Sequence, residues 1–181
     1  MGRRILLVRH CEVGLEYRGL CYGRSNIGLS TEGEAHSLRL AEQLATLPIT
    51  NLFHSGLCRT HFLADLVATR IDIPAIADTD LRERDFGTWE LRPWDEIFAE
   101  VGRAMDGLML DPANYAPPDG ETTLSLCDRV LGWYRRLPRE GLVVAITHGG
   151  PIAALRGALL GWAVDHWPEL IPACGSISEL T

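Results

Sequence analysis

Ile5-Leu6-Leu7-Val8-Arg9-His10 and Leu142-Val143-Val144-Ala145-Ile146-Thr147-His148 are two short apolar runs, each leading into a histidine. Unbroken aliphatic runs of this length read as strands buried on both faces, the pattern of a parallel sheet covered by helices. In open α/β sheets ligands bind just beyond the carboxyl ends of the strands. The two imidazoles, distant in sequence, are therefore expected at one sheet edge, with Arg9 beside the first.

Working outward, the first run enters a loop containing Gly14, Gly19, Gly23 and Gly28. Thr31-Glu32-Gly33-Glu34 has the capping-box spacing that starts a helix, with Ala35, Leu38, Ala41 and Ala45 on one face and Pro48 as the stop. Asn51–His54 reads as a short strand, and Gly56 turns the chain into a helix whose stripe is Phe62, Leu63, Leu66 and Val67. That βα junction places Arg59 in the first helical turn. Pro74 to Asp80 reads as an edge strand. Pro93 suits the first turn of a short helix, with Trp94, Ile97, Phe98 and Val101 at helical spacing. Residues 102–120 are loop-like. A helix over about Thr122 to Leu137 turns Cys127, Leu131 and Tyr134 inward. The second histidine-bearing strand, a helix opening at Gly150-Pro151 and a last strand near Ser176–Leu180 complete the chain. The expected fold is α/β: a three-layer α/β/α sandwich on a mostly parallel sheet. It forms a single domain over 1–181, with about 81–120 as a small insertion over the site.

The chain has 181 residues, 46% of them hydrophobic, enough for one substantial core. A net charge of −7 argues against nucleic acid or an anionic membrane as partner, since both need a basic face. No run approaches the roughly 18 apolar residues of a membrane span, and Arg3-Arg4 precedes too few apolar residues for a secretory signal. Five scattered cysteines, an odd number, suit a reducing cytoplasmic compartment. A homodimer is left open.

Arg9, His10, Arg59 and His148 all fall where a strand end meets a helix N-terminus, with its free N–H groups and positive dipole end. Two guanidiniums and two imidazoles there make a site for a tetrahedral dianion, which arginine grips bidentately without losing its charge. Ordinary surface arginines and packed strand-end histidines explain each residue singly, but not their convergence. Zinc is the rival use of His10, Cys11, Cys21, His54, Cys58 and His61. The spacing opposes it, with no C-x-x-C and no H-E-x-x-H. Neither a metal nor a cofactor is expected.

Leu7-Val8-Arg9-His10-Cys11-Glu12 resembles the R-H-G-E signature of the histidine phosphatase, or phosphoglycerate mutase-like, superfamily. Ser55-Gly56-Leu57-Cys58-Arg59-Thr60 is similar to its S-x-L-x-R-[AT] segment, and Leu81–Glu90 to L-x-E-x-x-F-G-x-W-E. Gly120-Glu121-Thr122 matches the G-E-S step, and Thr147-His148-Gly149-Gly150 the T-H-G-G. The resemblance implies that His10 attacks phosphorus and becomes phosphohistidine. It makes Glu83 the proton donor and leaves Arg9, Arg59, His148 and Gly149 holding the phosphoryl group of a small phosphomonoester. The residue pattern alone reads Glu83 equally well as a loop carboxylate paired with Arg82 or Arg84. Cys11 replaces the usual Gly, Glu16 stands about where mutases carry an Asn near the phosphate, and Ala153 replaces a frequent Arg. Gly19–Ser30, Arg92–Ile97 and Tyr115–Glu121 are similar to the α-ribazole phosphatase branch of cobalamin assembly. That likeness implies α-ribazole 5′-phosphate as substrate, with Tyr22, Trp89 and Trp94 against its base and Arg24 on a polar group. The alternatives are a broad-specificity phosphatase, a phosphoglycerate mutase and a non-catalytic phospholigand-binding protein.

Overall fold

The computed structural model describes residues 2–180. Its strands are β1 (Arg3–Arg9), β2 (Leu20–Cys21), β3 (Ile49–His54), β4 (Ala75–Ala77), β5 (Arg92–Pro93), β6 (Gly141–Thr147) and β7 (Ile177–Leu180). Its helices are α1 (Thr31–Ala45), α2 (Cys58–Ile71), α3 (Trp94–Val101), α4 (Gly107–Leu110), α5 (Thr123–Arg136) and α6 (Gly149–Leu160). The central sheet runs β4-β3-β6-β1-β7, and β2 pairs with β5 in a separate ribbon. Within the sheet only β7, on β1, is antiparallel.

Alternation along the apolar runs builds the two outer layers. Leu6, Val8, Leu142, Val144 and Ile146 face Leu40 and Leu44 of α1 and Leu63 and Val67 of α2. Ile5, Leu7, Val143 and Ala145 face Leu126, Val130 and Trp133 of α5 and Ile152 and Leu155 of α6. The result is the expected α/β/α sandwich. The β1–β6 register sets Arg9 opposite Thr147, and the His10 N–H donates to the Thr147 carbonyl at 3.0 Å. His10 and His148 therefore leave the sheet at the same level on neighbouring strands.

Several helix faces differ from the periodic reading. Ser30, rather than Thr31, caps α1, accepting from the Gly33 N–H at 3.0 Å. The buried face is then Gly33, Ser37, Leu40, Ala41 and Leu44. Two leucines bury more apolar area than the alanines of the expected stripe, and at Gly33 a Cβ would strike the Glu12 carbonyl. In α2 the buried row is Arg59, Thr60, Leu63, Ala64 and Val67, because Arg59 itself turns inward; Phe62 and Leu66 are half-buried. In α5 the row is Thr123, Leu126, Cys127, Val130 and Trp133, with Leu131 and Tyr134 packed at its margin.

Cys21, Trp89, Ile97 and Leu108 form a third apolar cluster, joined by Phe86, Trp94, Val101, Met105, Met109 and Tyr115. Part of the first loop thus packs with the 81–120 segment through the β2–β5 ribbon. Pro93 ends β5 and caps α3 instead of occupying its first turn. Phe98 points outward, 54% exposed. Residues 102–110 are a 3₁₀ turn followed by α4, not plain loop. Among the described residues no helix is long and apolar enough to cross a membrane.

Candidate active site

The sheet register brings the two histidines together. Both are buried, with ring centroids 5.1 Å apart in an edge-to-face arrangement. Arg59 reaches them from the first turn of α2, fully buried. Its guanidinium donates to the carbonyls of Ser25 at 2.7 Å and Gly23 at 2.6 Å, and its ion lies 5.3 Å from the Tyr22 ring centroid. Arg9 donates to the Pro172 carbonyl at 2.6 Å. Gly149, at the start of α6, lies so close that a Cβ there would sit 3.4 Å from the Arg9 guanidinium carbon. The Nε atoms of both arginines are buried without a partner. Among the described residues no carboxylate lies within ion-pair distance of either guanidinium. Arg59 is wholly buried and Arg9 half-buried; a buried cation with no counter-ion in contact costs several kcal/mol, on the order of the penalty per ion for a buried pair, so an anion between the two is favoured.

Protonation is equally defined. His10 Nδ1 lies 2.7 Å from the Cys11 carbonyl. A carbonyl only accepts, so Nδ1 carries the proton and Nε2 keeps a free lone pair. Burial first, then Arg59 and Arg9, push the His10 imidazole from 6.5 down to about 3, against the opposing pull of the Cys11 hydrogen bond. Burial, Arg59 and His10 hold His148 well below its ordinary value too. Both rings are neutral at pH 7. Unfolded, each titrates near 6.5, so below that value the unfolded chain binds protons that the folded chain refuses. Stability should therefore fall with falling pH, approaching a limit of about 1.4 kcal/mol per pH unit for each ring as the pH drops below 6.5. Urea unfolding between pH 6.5 and 5 measures this slope. His54, also held below its ordinary value by burial, adds to the same slope; His10→Gln should remove one ring's share of it, and an unchanged slope would contradict the neutral buried ring.

Glu83 stands at the head of α6. Its two carboxylate oxygens accept from the Arg84 N–H at 2.8 Å and the Gly150 N–H at 3.2 Å. A side chain at Gly150 would collide with that carboxylate. The competing ion pair with Arg82 or Arg84 is not formed: Arg82 turns towards the Ser55 carbonyl and Arg84 donates to Thr123 at 2.8 Å. The Glu83 backbone is gripped from α5. Arg129 donates to the carbonyls of Asp80 and Arg82 at 2.7 Å and of Glu83 at 3.0 Å, while pairing with Glu121 at 2.6 Å. Arg129 was invisible to spacing arguments, since a lone arginine in an amphipathic helix reads as a solvated face. Ser55 and Thr60 were also missed. They join His148 in a buried hydroxyl chain, within the same segment that carries Arg59.

A cleft of about 690 Å³ opens beside the histidines rather than around them, lined by Arg9, Glu12, Leu15, Tyr17, Arg18 and Tyr22 among others. Tyr22 therefore faces both Arg59 and the cleft. The other two expected aromatics sit in the third cluster. Trp89 is buried inside the third cluster, and Trp94 packs edge-on against Phe86 with centroids 5.3 Å apart. The half-buried Trp94 packs on the margin of that cluster. Arg24 pairs with Asp85 at 2.9 Å, so its charge is engaged by the 81–120 segment. Cys11 is wholly buried and offers the site its carbonyl. The Glu16 carboxylate folds back over Gly14. Ala153 lines a small hollow that Arg84 also lines. Among the described residues no three His, Cys, Asp or Glu side chains converge as a metal site would require.

An anion hollow with a bare imidazole nitrogen, at the strand ends of such a sheet, defines an enzyme of phosphoryl chemistry. The chain belongs to the histidine phosphatase superfamily (branch 1), whose family model matches residues 5–181, and is a phosphoric monoester hydrolase. A glucosyl-3-phosphoglycerate phosphatase of Mycolicibacterium vanbaalenii is 32% identical, over 93% of this chain and 79% of that protein. A probable phosphoglycerate mutase, GpmB, of Citrobacter koseri is 30% identical over 92% and 78%. The solved mycobacterial glucosyl-3-phosphoglycerate phosphatase superposes with a TM-score of 0.85 at 27% identity, covering 99% of this chain and 90% of the other. The α-ribazole phosphatase of Shigella flexneri gives 0.82 at 23% identity, covering 98% and 90%, and shares the fold.

Proposed function

We propose that the protein hydrolyses a bulky phosphomonoester through a phosphohistidine on His10, without a metal. The observation that carries this is the His10 ring: Nδ1 is committed to the Cys11 carbonyl, and Nε2 is free between two guanidiniums that lack counter-ions. Nε2 attacks phosphorus in line as the ester P–O bond breaks, and the Glu83 carboxyl gives its proton to the departing alkoxide. Water then attacks the phosphohistidine while the Glu83 carboxylate takes its proton, releasing phosphate and the free imidazole. Covalent catalysis divides one difficult displacement into two. Arg9, Arg59, His148 and the N–H of Gly149 hold the charge spread over the three phosphoryl oxygens.

The alcohol portion of the substrate lies in the cleft beyond Arg9 and Tyr22, which is far roomier than a three-carbon acid requires. Likeness of Gly19–Ser30 to the α-ribazole phosphatase branch, together with the Tyr22 ring, supports α-ribazole 5′-phosphate. The 32% identical relative supports a second reading, glucosyl-3-phosphoglycerate. Initial rates on both compounds, on 3-phosphoglycerate and on p-nitrophenyl phosphate separate these readings. One of the two bulky esters should exceed 3-phosphoglycerate in kcat/KM by at least about 100-fold, since polar groups built for a larger alcohol stay unpaired with a smaller one. Phosphate exchange between phosphoglycerates at a comparable rate would overturn hydrolysis in favour of mutase activity. A chelator should leave the rates unchanged, and loss restored by a divalent ion would overturn the metal-free mechanism.

A further inference from the structure

His148 Nε2 lies 2.8 Å from Ser55 Oγ, which lies 2.8 Å from Thr60 Oγ1. Thr60 Oγ1 in turn lies 2.8 Å from the Leu57 carbonyl, and Ser55 Oγ accepts from the Leu57 N–H at 3.3 Å. All of these groups are buried, so no bulk water can substitute for a missing partner. Counting protons fixes the direction of the chain. The Leu57 carbonyl can only accept, so the single Thr60 proton goes there. Thr60 Oγ1 can then only accept from Ser55, which spends the single Ser55 proton. Ser55 Oγ is left as an acceptor, and His148 must donate to it from Nε2. Reversing the chain would set the Thr60 and Leu57 oxygens face to face at hydrogen-bond distance with no proton between them.

We infer that Ser55 and Thr60 are positioning residues that hold neutral His148 in its Nε2–H form and leave Nδ1 as its one nitrogen able to gain a proton. Nδ1 is buried and has no partner. The charged and titratable groups acting on the ring are Arg59 from α2, His10 and Arg9 from the β1 end, and Arg129 from α5. All repel a second proton until an anion arrives. A phosphoryl group entering the hollow as its monoanion reverses that balance and gives its own proton to Nδ1, remaining as the dianion. The ring then carries N–H donors on both sides, one fixed by Ser55 and one for the phosphoryl oxygens. This assignment of a role to Ser55 and Thr60 rests on the phosphatase reading, but the tautomer itself is a property of the empty site.

Long-range ¹H–¹⁵N correlation spectra of imidazole-labelled protein distinguish the two tautomers directly. Wild type without ligand should show His148 protonated on Nε2 alone, and orthovanadate should add a proton at Nδ1. Thr60→Val removes the acceptor and frees the Ser55 proton for Nε2, so His148 should switch to its Nδ1–H form. kcat should fall by about 10- to 100-fold, by analogy with the loss of an outer partner that orients a metal-bound histidine, with KM changing less. Thr60→Ser should restore both tautomer and rate. An Nδ1–H signal in wild type, or a Thr60→Val spectrum and kcat equal to wild type, overturns the proposal. Should Thr60→Val fail to fold, Ser55→Ala reads the same link, and a pure Nε2–H signal there would overturn it. Failure of the phosphatase reading would show separately, as an absent His10 phosphoenzyme with the tautomer unaltered.

Discussion

Replacing His10 by alanine should lower kcat by at least about 10⁴-fold and abolish the phosphorylated enzyme at the same time. Losing the nucleophile removes the whole two-step path, and knockouts of nucleophiles in covalent enzymes cost on the order of 10⁶-fold. Alanine has no atom at the Nε2 position, and the other imidazole, His148, is fixed through its own Nε2 to Ser55 as a phosphoryl-holding group. The measurement is rapid quench with ³²P-labelled substrate, followed by acid and alkali treatment. Wild type should yield an acid-labile, alkali-stable phosphoryl protein, and the variant none. Recovering that species from His10→Ala would refute the nucleophile. The fold should survive, because the ring sits at a strand end beyond the β1–β6 ladder, and circular dichroism checks it.

Arg59→Met should lower kcat/KM by about 10³-fold or more, the range found when an arginine stabilising a phosphoryl transition state is lost. Methionine fills similar volume but takes away the cation and the fork. Stability should move far less than activity, by at most about 2 kcal/mol. The variant loses the bonds to Ser25 and Gly23, yet it also relieves a buried charge without a carboxylate partner. Steady-state kinetics and urea unfolding on one preparation test both halves. A rate loss under tenfold would place Arg59 outside the reaction. Unfolding of the variant at room temperature would make it a structural residue first.

The sheet and its edge were legible because unbroken aliphatic runs fix strands and the residue after a parallel strand has one place to go. Arg9, His10, Arg59 and His148 met as that logic requires. Helix phases were less legible: in α1 the competition between Leu40 and Ala35 is settled by packing against the sheet, which period counting does not weigh. The aromatic residues misled for a similar reason. Trp89 and Trp94 stand in a charged, irregular stretch that looks like a rim, but three-dimensional packing collects them into a cluster of their own. Arg24 could not be read as occupied, because Asp85 is distant in sequence. The Ser55–Thr60 chain and the Arg129 clamp rest on hydrogen-bond directions and carbonyl positions, which one-dimensional text does not carry.

The two guanidiniums without counter-ions have an effect that reaches beyond turnover. Two cations with no carboxylate in contact favour any tetrahedral dianion that lies between them. Inorganic phosphate, the leaving product, is then also a thermodynamic stabiliser, adding RT ln(1 + [L]/Kd) to the native state. The ambient phosphate level would then set both the folded fraction of this protein and the occupancy of its active site by product.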